Sequence, residues 1–292
     1  MLNIGFRAHD FGTFSNSAEL ADVVNSVKKN ACIQLALNKS FPQAKKWDEW
    51  DDEYITSFLS PLFERNVSIA VVGCYINPVC SDEEKKKKEL LRFERSLSLT
   101  SAFNCKIVGT ETGSPTVDNS YSLQASSQKN LAAFYKSLEQ MLNAAIKYDS
   151  ICAIEPVCKS HTICSVQRTV AMLEKFNDEH LRIIYDPINL LPWIGLTEKD
   201  GAQLEVPSDE AVKTFITEAL DAFGDKIVAI HLKDFKLNDQ GYKIGNLPSP
   251  TGSFKPSILF DQLRARKIEV PILLENLNPQ TVRENLTTLS KL

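Results

Sequence analysis

The stretch CAIE (152–155) is a short apolar run that ends in a carboxylate, and it sets the pattern for the second half of the chain. The pattern recurs three times, in IIYD (183–186), VAIH (228–231) and ILLE (272–275). A charge at the end of a hydrophobic strand is costly unless it is paired, hydrogen-bonded or bound to an ion. The four runs therefore predict one shared polar site. Its side chains are Glu155, Asp186, His231 and Glu275.

Around these runs, strand-like segments alternate with longer amphipathic segments along the whole chain. The strand-like segments begin at residues 2, 31, 68, 105, 150, 181, 227 and 270. This alternation indicates βα units and a parallel sheet. Eight units predict an α/β fold, a single (β/α)8 TIM barrel catalytic domain over residues 1–292. An open doubly wound sheet is the alternative, but the glycine-rich motifs that bind dinucleotides or phosphates in such sheets are missing.

Three helix starts have recognisable capping residues. Ser81 and Glu84 fit a capping box, and Ser208 precedes two acidic residues as an N-cap should. Asn278 followed by Pro279 predicts an N-cap and a first helical residue.

The composition fits a globular protein, with 43% hydrophobic and 24% charged residues in 292. The formal charge of -4 makes nucleic acid a poor default partner. An odd number of cysteines, 7, several of them in apolar runs, favours reduced thiols and a cytoplasmic location. The first residues lack the pattern of a signal peptide, and no apolar run approaches membrane-spanning length, so we expect no membrane partner.

Three carboxylates and one imidazole form a ligand set suited to Mn²⁺, Mg²⁺, Co²⁺ or Zn²⁺. Without a metal ion, carboxylates that converge on one mouth repel one another, and their pKa values are expected to rise. The alternative is that each is a separately satisfied polar residue at a strand end. The carboxyl ends of barrel strands form the functional face, which favours a shared site for one divalent ion.

Five motifs follow one another on the predicted strands: GTETGS (109–114), AIEPV (153–157), YDPINLL (185–191), AIHLKDF (229–235) and LLENL (273–277). In these motifs the chain resembles the xylose-isomerase-like TIM barrels and, within them, the sugar phosphate isomerase/epimerase family. It is similar to the ketose 3-epimerases and inosose dehydratases of that group.

The resemblance implies that Glu155, Asp186, His231 and Glu275 bind one divalent metal ion. It also implies that Glu155 and Glu275 act as acid and base on a sugar, sugar phosphate or related polyol, through an enediolate that the ion stabilises. Delivery of the proton to the opposite face gives epimerisation. The chain departs from the epimerases at Asn189, where they have His, and at Lys233 and Lys236, where they have Arg.

These departures leave the reaction open. In a dehydratase of a keto-polyol, the same base would remove a proton, and a hydroxide would leave the substrate. An abasic-site endonuclease of the same superfamily would need more histidines than the 4 present here. A catalytically silent sugar-binding barrel would keep the binding pocket but would not turn over its ligand.

Six side chains are candidates for substrate contacts at the predicted mouth. They are Arg7, His9, Glu111, His161, Asn189 and Lys233. Four of them have a structural alternative: Arg7 with His9 as an interior polar pair, Glu111 as a loop cap, and Lys233 paired with Asp234 or a neighbouring carboxylate.

Other features have simpler interpretations. His180 begins a strand on the stability face and is expected to be structural. Cys158, His161 and Cys164 lack a fourth ligand and are interpreted as a chance cluster. The polar loops that follow the fourth and seventh strands resemble lids, and 251–253 could hold a phosphate near a helix start, unless it is an ordinary turn. The expected partner is a small molecule, and a homo-oligomer is possible.

Overall fold

Eight parallel strands close into a barrel in the computed structural model, which describes residues 2–159, 161–191, 206–241 and 243–292. The strands follow one another round the barrel in chain order, and the last pairs with the first. They are β1 (Ile4–Arg7), β2 (Cys32–Leu35), β3 (Ser68–Gly73), β4 (Ile107–Glu111), β5 (Ile151–Glu155), β6 (Leu181–Tyr185), β7 (Ile227–Leu232) and β10 (Ile272–Leu274). The predicted (β/α)8 barrel is confirmed.

Helices lie between successive barrel strands and pack their apolar faces on the sheet. The long helices are α1 (Ser17–Val27), α3 (Asp52–Glu64), α4 (Glu83–Ser98), α5 (Gln128–Lys147), α6 (Val166–Phe176), α8 (Asp209–Phe223), α9 (Pro256–Arg266) and α10 (Val282–Leu289). Two single-turn helices, α2 (Leu37–Ser40) and α7 (Pro187–Leu190), follow β2 and β6. No helix in the described part of the chain is long and apolar enough to cross a bilayer.

Two of the three predicted helix starts are shifted. Helix α4 begins after Asp82, whose carboxylate accepts the N–H of Lys85, so Ser81 is not the cap. Helix α10 begins at Val282, because the Asn278 carbonyl oxygen accepts from Thr281 and Val282 in a preceding turn. Ser208 caps α8 as predicted, with its hydroxyl accepting from the Ala211 N–H.

The predicted loop after the seventh strand contains an antiparallel hairpin, β8 (Asp234–Leu237) and β9 (Lys243–Leu247). The Asp234 carboxylate fixes the segment that follows it. It accepts four backbone N–H groups, from Phe235, Thr251, Gly252 and Phe254. The phosphate interpretation of 251–253 is therefore wrong, because an internal carboxylate already takes the N–H groups of Thr251 and Gly252.

The barrel interior is built in layers, because strand side chains alternate between the two faces. One layer is apolar or lacks a side chain and comprises Gly5, Cys32, Val71, Gly109, Ala153, Ile184, Ala229 and Leu273. Two residues further along each strand, the same face reaches the mouth. That layer is Arg7, Gln34, Gly73, Glu111, Glu155, Asp186, His231 and Glu275. The period of two thus brings the polar side chains from all around the barrel to one level.

Gly5 tests this layering because a side chain there has no space. A Cβ on Gly5 would lie 2.2 Å from the Cys32 carbonyl oxygen, whereas one on Gly245 would lie 3.6 Å from the nearest atom, Cγ2 of Ile188. We expect Gly5→Ala to lower the free energy of unfolding in urea by about 1–3 kcal/mol through overpacking. Gly245→Ala should change it by less than about 0.5 kcal/mol. Equal changes in the free energy of unfolding for the two substitutions would contradict close packing around Gly5.

Candidate metal centre

Three of the four predicted ligands form a compact buried group at the mouth. One ligand atom from each of Glu155, Asp186 and His231 lies within 4.8 Å of the others. No other group of three such residues is found in the described ranges. Glu275 lies beside this group, with Oε1 3.4 Å from His231 Nδ1. The four strand ends singled out in the sequence therefore converge, three within one ion's reach and the fourth in contact with them.

The His231 imidazole is held by both of its nitrogens. Nε2 is hydrogen-bonded to Gln34 Oε1, and Nδ1 lies 3.1 Å from Glu155 Oε2. An amide oxygen can only accept a hydrogen bond, so Nε2 carries the proton when the ring is neutral. The Nδ1 lone pair then faces the carboxylates, which is the orientation that a metal ligand needs.

Glu155 is positioned by two neutral donors. Its Oε1 accepts from Asn189 Nδ2 at 2.7 Å and its Oε2 from the Tyr75 hydroxyl at 3.0 Å. Gln34 Nε2 donates to the same Tyr75 oxygen at 3.2 Å. Burial, followed by the nearby carboxylates, holds the pKa of Tyr75 well above its usual value, so this hydroxyl keeps its proton and donates.

The two carboxylate oxygens of Asp186 have different partners. It is the N-cap of α7, and its Oδ1 accepts the N–H groups of Ile188 and Asn189, both at 2.8 Å. Oδ2 is buried and forms no hydrogen bond of good geometry with any residue that the structure describes. Its contact is an ion pair with Lys233 Nζ at 2.8 Å.

Two cations neutralise Glu275. Lys233 Nζ lies 3.3 Å from Oε2, and Arg7 Nη1 lies 3.0 Å from Oε1. Arg7 is itself held by Asp10 and by the Asn276 side-chain oxygen. Of the alternative partners considered for Lys233, Asp234 is occupied by backbone N–H groups, whereas the neighbouring carboxylates Asp186 and Glu275 do pair with it.

These contacts decide the protonation states. Burial opposes ionisation of Glu275, but His231, Lys233 and Arg7 outweigh it and hold its pKa at about 2. The pKa of Glu155 is also lowered, since the charge of His231 outweighs burial. For Asp186, burial wins and the pKa is raised. The expected upward shift is therefore wrong for Glu155 and Glu275, because that expectation considered the repulsion between carboxylates and not the positive charges of His231, Lys233 and, at Glu275, Arg7.

The pKa of His231 is raised, whereas those of Glu155 and Glu275 are lowered. Burial alone would lower the pKa of this imidazole, but the charges of Glu275 and Glu155 outweigh burial and raise it to about 9. Without an ion, the ring is therefore protonated at neutral pH, and binding of a metal ion must displace that proton.

Glu111 and His161 form a second polar pair on the β4 and β5 side of the mouth. His161 Nε2 lies 3.7 Å from Glu111 Oε2, and Nδ1 accepts the N–H of Gly113. Burial lowers the pKa of His161 to about 4, so Nε2 carries the single ring proton. Burial and the charge of Glu155 raise the pKa of Glu111 to about 8. A neutral imidazole and a protonated carboxyl group thus lie beside ionised Glu155.

The remaining candidates from the sequence are placed as follows. His9 lies in the 3-10 turn after β1, and burial together with Arg7 lowers its pKa to about 4. His180 precedes β6 at the end opposite Asp186 and pairs with Asp178 at 2.9 Å, as expected of a structural residue. None of the seven cysteines, all of which lie in the described ranges, forms a disulfide.

Gln34 and Tyr75 were not identified from the sequence. Gln34 follows the interior residue Cys32 by two positions in ACIQLAL, so the alternation rule applied to β2 would have placed it at the mouth. Tyr75 lies beyond the end of β3, where no periodicity constrains its direction.

The donor set fits a divalent ion. His231 Nδ1 and Asp186 Oδ2 are both buried, and within the described ranges their contacts are ion pairs with charged neighbours rather than hydrogen bonds of good geometry. Oxygen and imidazole donors without thiolate suit Mn²⁺, Mg²⁺, Co²⁺ or Zn²⁺.

Several solved structures share this fold at low sequence identity. The 3-keto-D-glucoside 4-epimerase YcjR from E. coli is 15% identical, with a TM-score of 0.68 and 100% of both chains covered. The IolI protein with a bound zinc atom is 12% identical, with a TM-score of 0.69, 99% of this chain covered and 96% of that one. The probable 3-DHS dehydratase AsbF from Bacillus anthracis is 11% identical, with a TM-score of 0.68 and 99% of both chains covered.

The family model gives a broader relationship. No curated protein sequence matches this chain significantly. Residues 8–292 match the model of the xylose isomerase-like TIM barrels, which is nearly the whole chain. The protein therefore belongs to the xylose isomerase-like TIM barrel family.

Proposed function

We propose that this protein is a divalent-metal-dependent isomerase or epimerase that acts on a sugar, a sugar phosphate or a related polyol. The observation that supports this most strongly is the buried group of Glu155, Asp186 and His231, whose ligand atoms lie within 4.8 Å of one another at the barrel mouth. Glu275 adjoins it. The fold is shared with a 3-keto-D-glucoside 4-epimerase and with a barrel that binds zinc, which agrees with the proposal.

All four strand-end residues are proposed as ligands of the ion. When bound, such an ion would supply Lewis acidity toward a substrate carbonyl group. Glu155 and Glu275 have lowered pKa values, so each starts as a carboxylate able to remove a proton from carbon. After the first transfer, the glutamate that did not act as base delivers a proton to the other face. This second glutamate takes that proton from solvent water at the mouth before it delivers it, and the first glutamate returns the proton removed from carbon to solvent, so both end the cycle as carboxylates.

The surrounding donors orient the substrate and the bases. Asn189 and Tyr75 fix the Glu155 carboxylate, which leaves the direction of its lone pairs defined. We propose that Arg7, His9 and Lys233 contact substrate oxygens on one side of the mouth. Glu111 and His161 would contact hydroxyl groups on the other side, where a protonated carboxyl and an Nε2–H both donate.

A dehydratase is the second candidate, and the Glu111–His161 pair favours it. Loss of a hydroxyl group requires a proton donor close to the base, and protonated Glu111 is in register with Glu155 on the neighbouring strand. The shared fold with a probable 3-DHS dehydratase agrees with this candidate. Three expectations stay predictions: a cytoplasmic location, a homo-oligomer and the lack of a nucleic-acid partner. An abasic-site endonuclease and a silent sugar-binding barrel stay the less favoured alternatives.

The two-base mechanism predicts that Glu155→Gln and Glu275→Gln each lower turnover by at least about 100-fold, because an amide cannot transfer a proton. The measurement is a panel of keto- and aldo-sugars incubated in D₂O with Mn²⁺, with deuterium and product mass followed by mass spectrometry. His180→Gln, on the far end of the barrel, should retain wild-type turnover. A loss of water from the product assigns the dehydratase. Retained turnover in either glutamate variant would rule out two bases, and a wild type that exchanges no deuterium into any sugar would favour a silent barrel.

Metal binding should strengthen with pH because an ion displaces the His231 proton. The folded pKa is about 9 against an ordinary 6.5. The charged ring therefore stabilises the metal-free protein fully below 6.5, and that contribution is lost as pH rises through about 9. Over this window the apparent Kd for Mn²⁺ should fall about tenfold per pH unit. Titration calorimetry in buffers of different ionisation enthalpy measures both Kd and the protons released. Binding that is independent of pH and releases no proton would contradict His231 as a ligand.

A further inference from the structure

Lys233 connects two of the proposed metal ligands. It follows His231 by two residues and leaves β7, which lies between β6 and β10 in the barrel. Its Nζ is 2.8 Å from Asp186 Oδ2, beyond β6, and 3.3 Å from Glu275 Oε2, beyond β10. The side chains of Lys233, Asp186 and Glu275 are 8%, 0% and 5% exposed. A buried ammonium group thus bridges two carboxylates that the ion would need.

The Asp186 carboxylate offers an ion a single oxygen. Its Oδ1 already accepts two backbone N–H groups of α7. An ion that binds Asp186 must therefore use Oδ2, which is the oxygen that Lys233 holds. On Glu275 the same division applies, since Oε1 faces Arg7 and His231 while Oε2 faces Lys233.

The two cations cannot share these oxygens without strong repulsion. A ligating oxygen lies roughly 2.0–2.2 Å from a transition-metal ion. With the ammonium 2.8 Å from the same Asp186 oxygen, the two positive groups would be close neighbours in a site that water does not screen. Arg7 differs, because Asp10 and Asn276 retain its guanidinium at the mouth without Glu275.

We propose that Lys233 is a built-in competitor of the divalent ion. In the metal-free protein its ammonium replaces the ion's charge between Asp186 and Glu275, and it leaves the Asp186 oxygen when the ion binds. The released ammonium lies on a flexible stem at the mouth, where it binds an anionic oxygen of the substrate. Ion binding therefore precedes productive substrate binding. This inference rests on the proposed function, in which the cluster binds an ion.

The test compares Mn²⁺ affinity, by titration calorimetry at fixed pH, in the wild type, Lys233→Met and Lys236→Met. Lys236 is exposed on β8 three residues further on, so its substitution removes the same charge without touching the cluster. We expect Lys233→Met to bind Mn²⁺ at least about tenfold more tightly than the wild type. Lys236→Met should stay within about twofold, because solvent screens its charge. An affinity of Lys233→Met equal to or weaker than that of the wild type overturns the inference.

Thermal unfolding provides a second readout. Without an ion, Lys233→Met leaves buried carboxylates unpaired and should melt at a lower temperature than the wild type. Saturating Mn²⁺ should then raise its Tm by more than it raises that of the wild type. If the variant folds only with Mn²⁺, the rate of ion loss to excess EDTA replaces the calorimetry, and loss as fast as or faster than in the wild type overturns the inference.

The outcomes separate this inference from the proposed function. If the wild type and Lys233→Met both bind Mn²⁺ and the variant binds no more tightly, the role of Lys233 as a competitor is refuted and the metal centre is not. Absence of binding by both, with Mn²⁺, Mg²⁺, Co²⁺ and Zn²⁺ each tried, refutes the metal centre and the competitor together. Binding by the variant but not by the wild type supports the competitor in its strongest form.

Discussion

The structure depends on the neutralisation of three carboxylates buried at the barrel mouth. The side chains of Glu155, Asp186 and Glu275 are each no more than 5% exposed. Removing the partner of a buried charge costs about 3–5 kcal/mol, so these groups cannot be left without positive charge. In the metal-free protein that charge comes from protonated His231, Lys233 and Arg7. A divalent ion would take over the first two roles, which links binding of the ion to release of a proton and of an ammonium group.

The barrel supplies the geometry for this charge balance. Its parallel strands place every second residue inside, and the interior layer below the mouth is apolar, with Gly5 and Gly109 where there is no space for a side chain. The next layer is almost entirely polar, from Arg7 and Gln34 round to Glu275. The site is therefore not attached to the fold as separate loops. It is the last layer of the barrel interior, and rigid strands fix the spacing of its charges.

Much of this arrangement follows from local patterns in the sequence. Eight apolar runs with helices between them suffice for the barrel, and the charged residues that end the last four runs point to the centre, because strand ends of a closed barrel share one mouth. The contacts that could not be predicted from the sequence depend on the direction of individual side chains. Asn189 was expected to contact substrate where the epimerases have His, yet its amide donates to Glu155. Asp234 was one of the carboxylates considered as an alternative partner of Lys233, but it organises the segment after the hairpin through four N–H groups, which no residue spacing encodes.

Anomalous diffraction from crystals grown with Mn²⁺ would show whether these four side chains hold one divalent ion. We expect a single strong anomalous peak at the mouth, roughly 2.0–2.2 Å from oxygens of Glu155, Asp186 and Glu275 and from Nδ1 of His231. A map with no peak there at saturating Mn²⁺, or with Lys233 still bridging Asp186 and Glu275 beside an ion bound elsewhere, would contradict it.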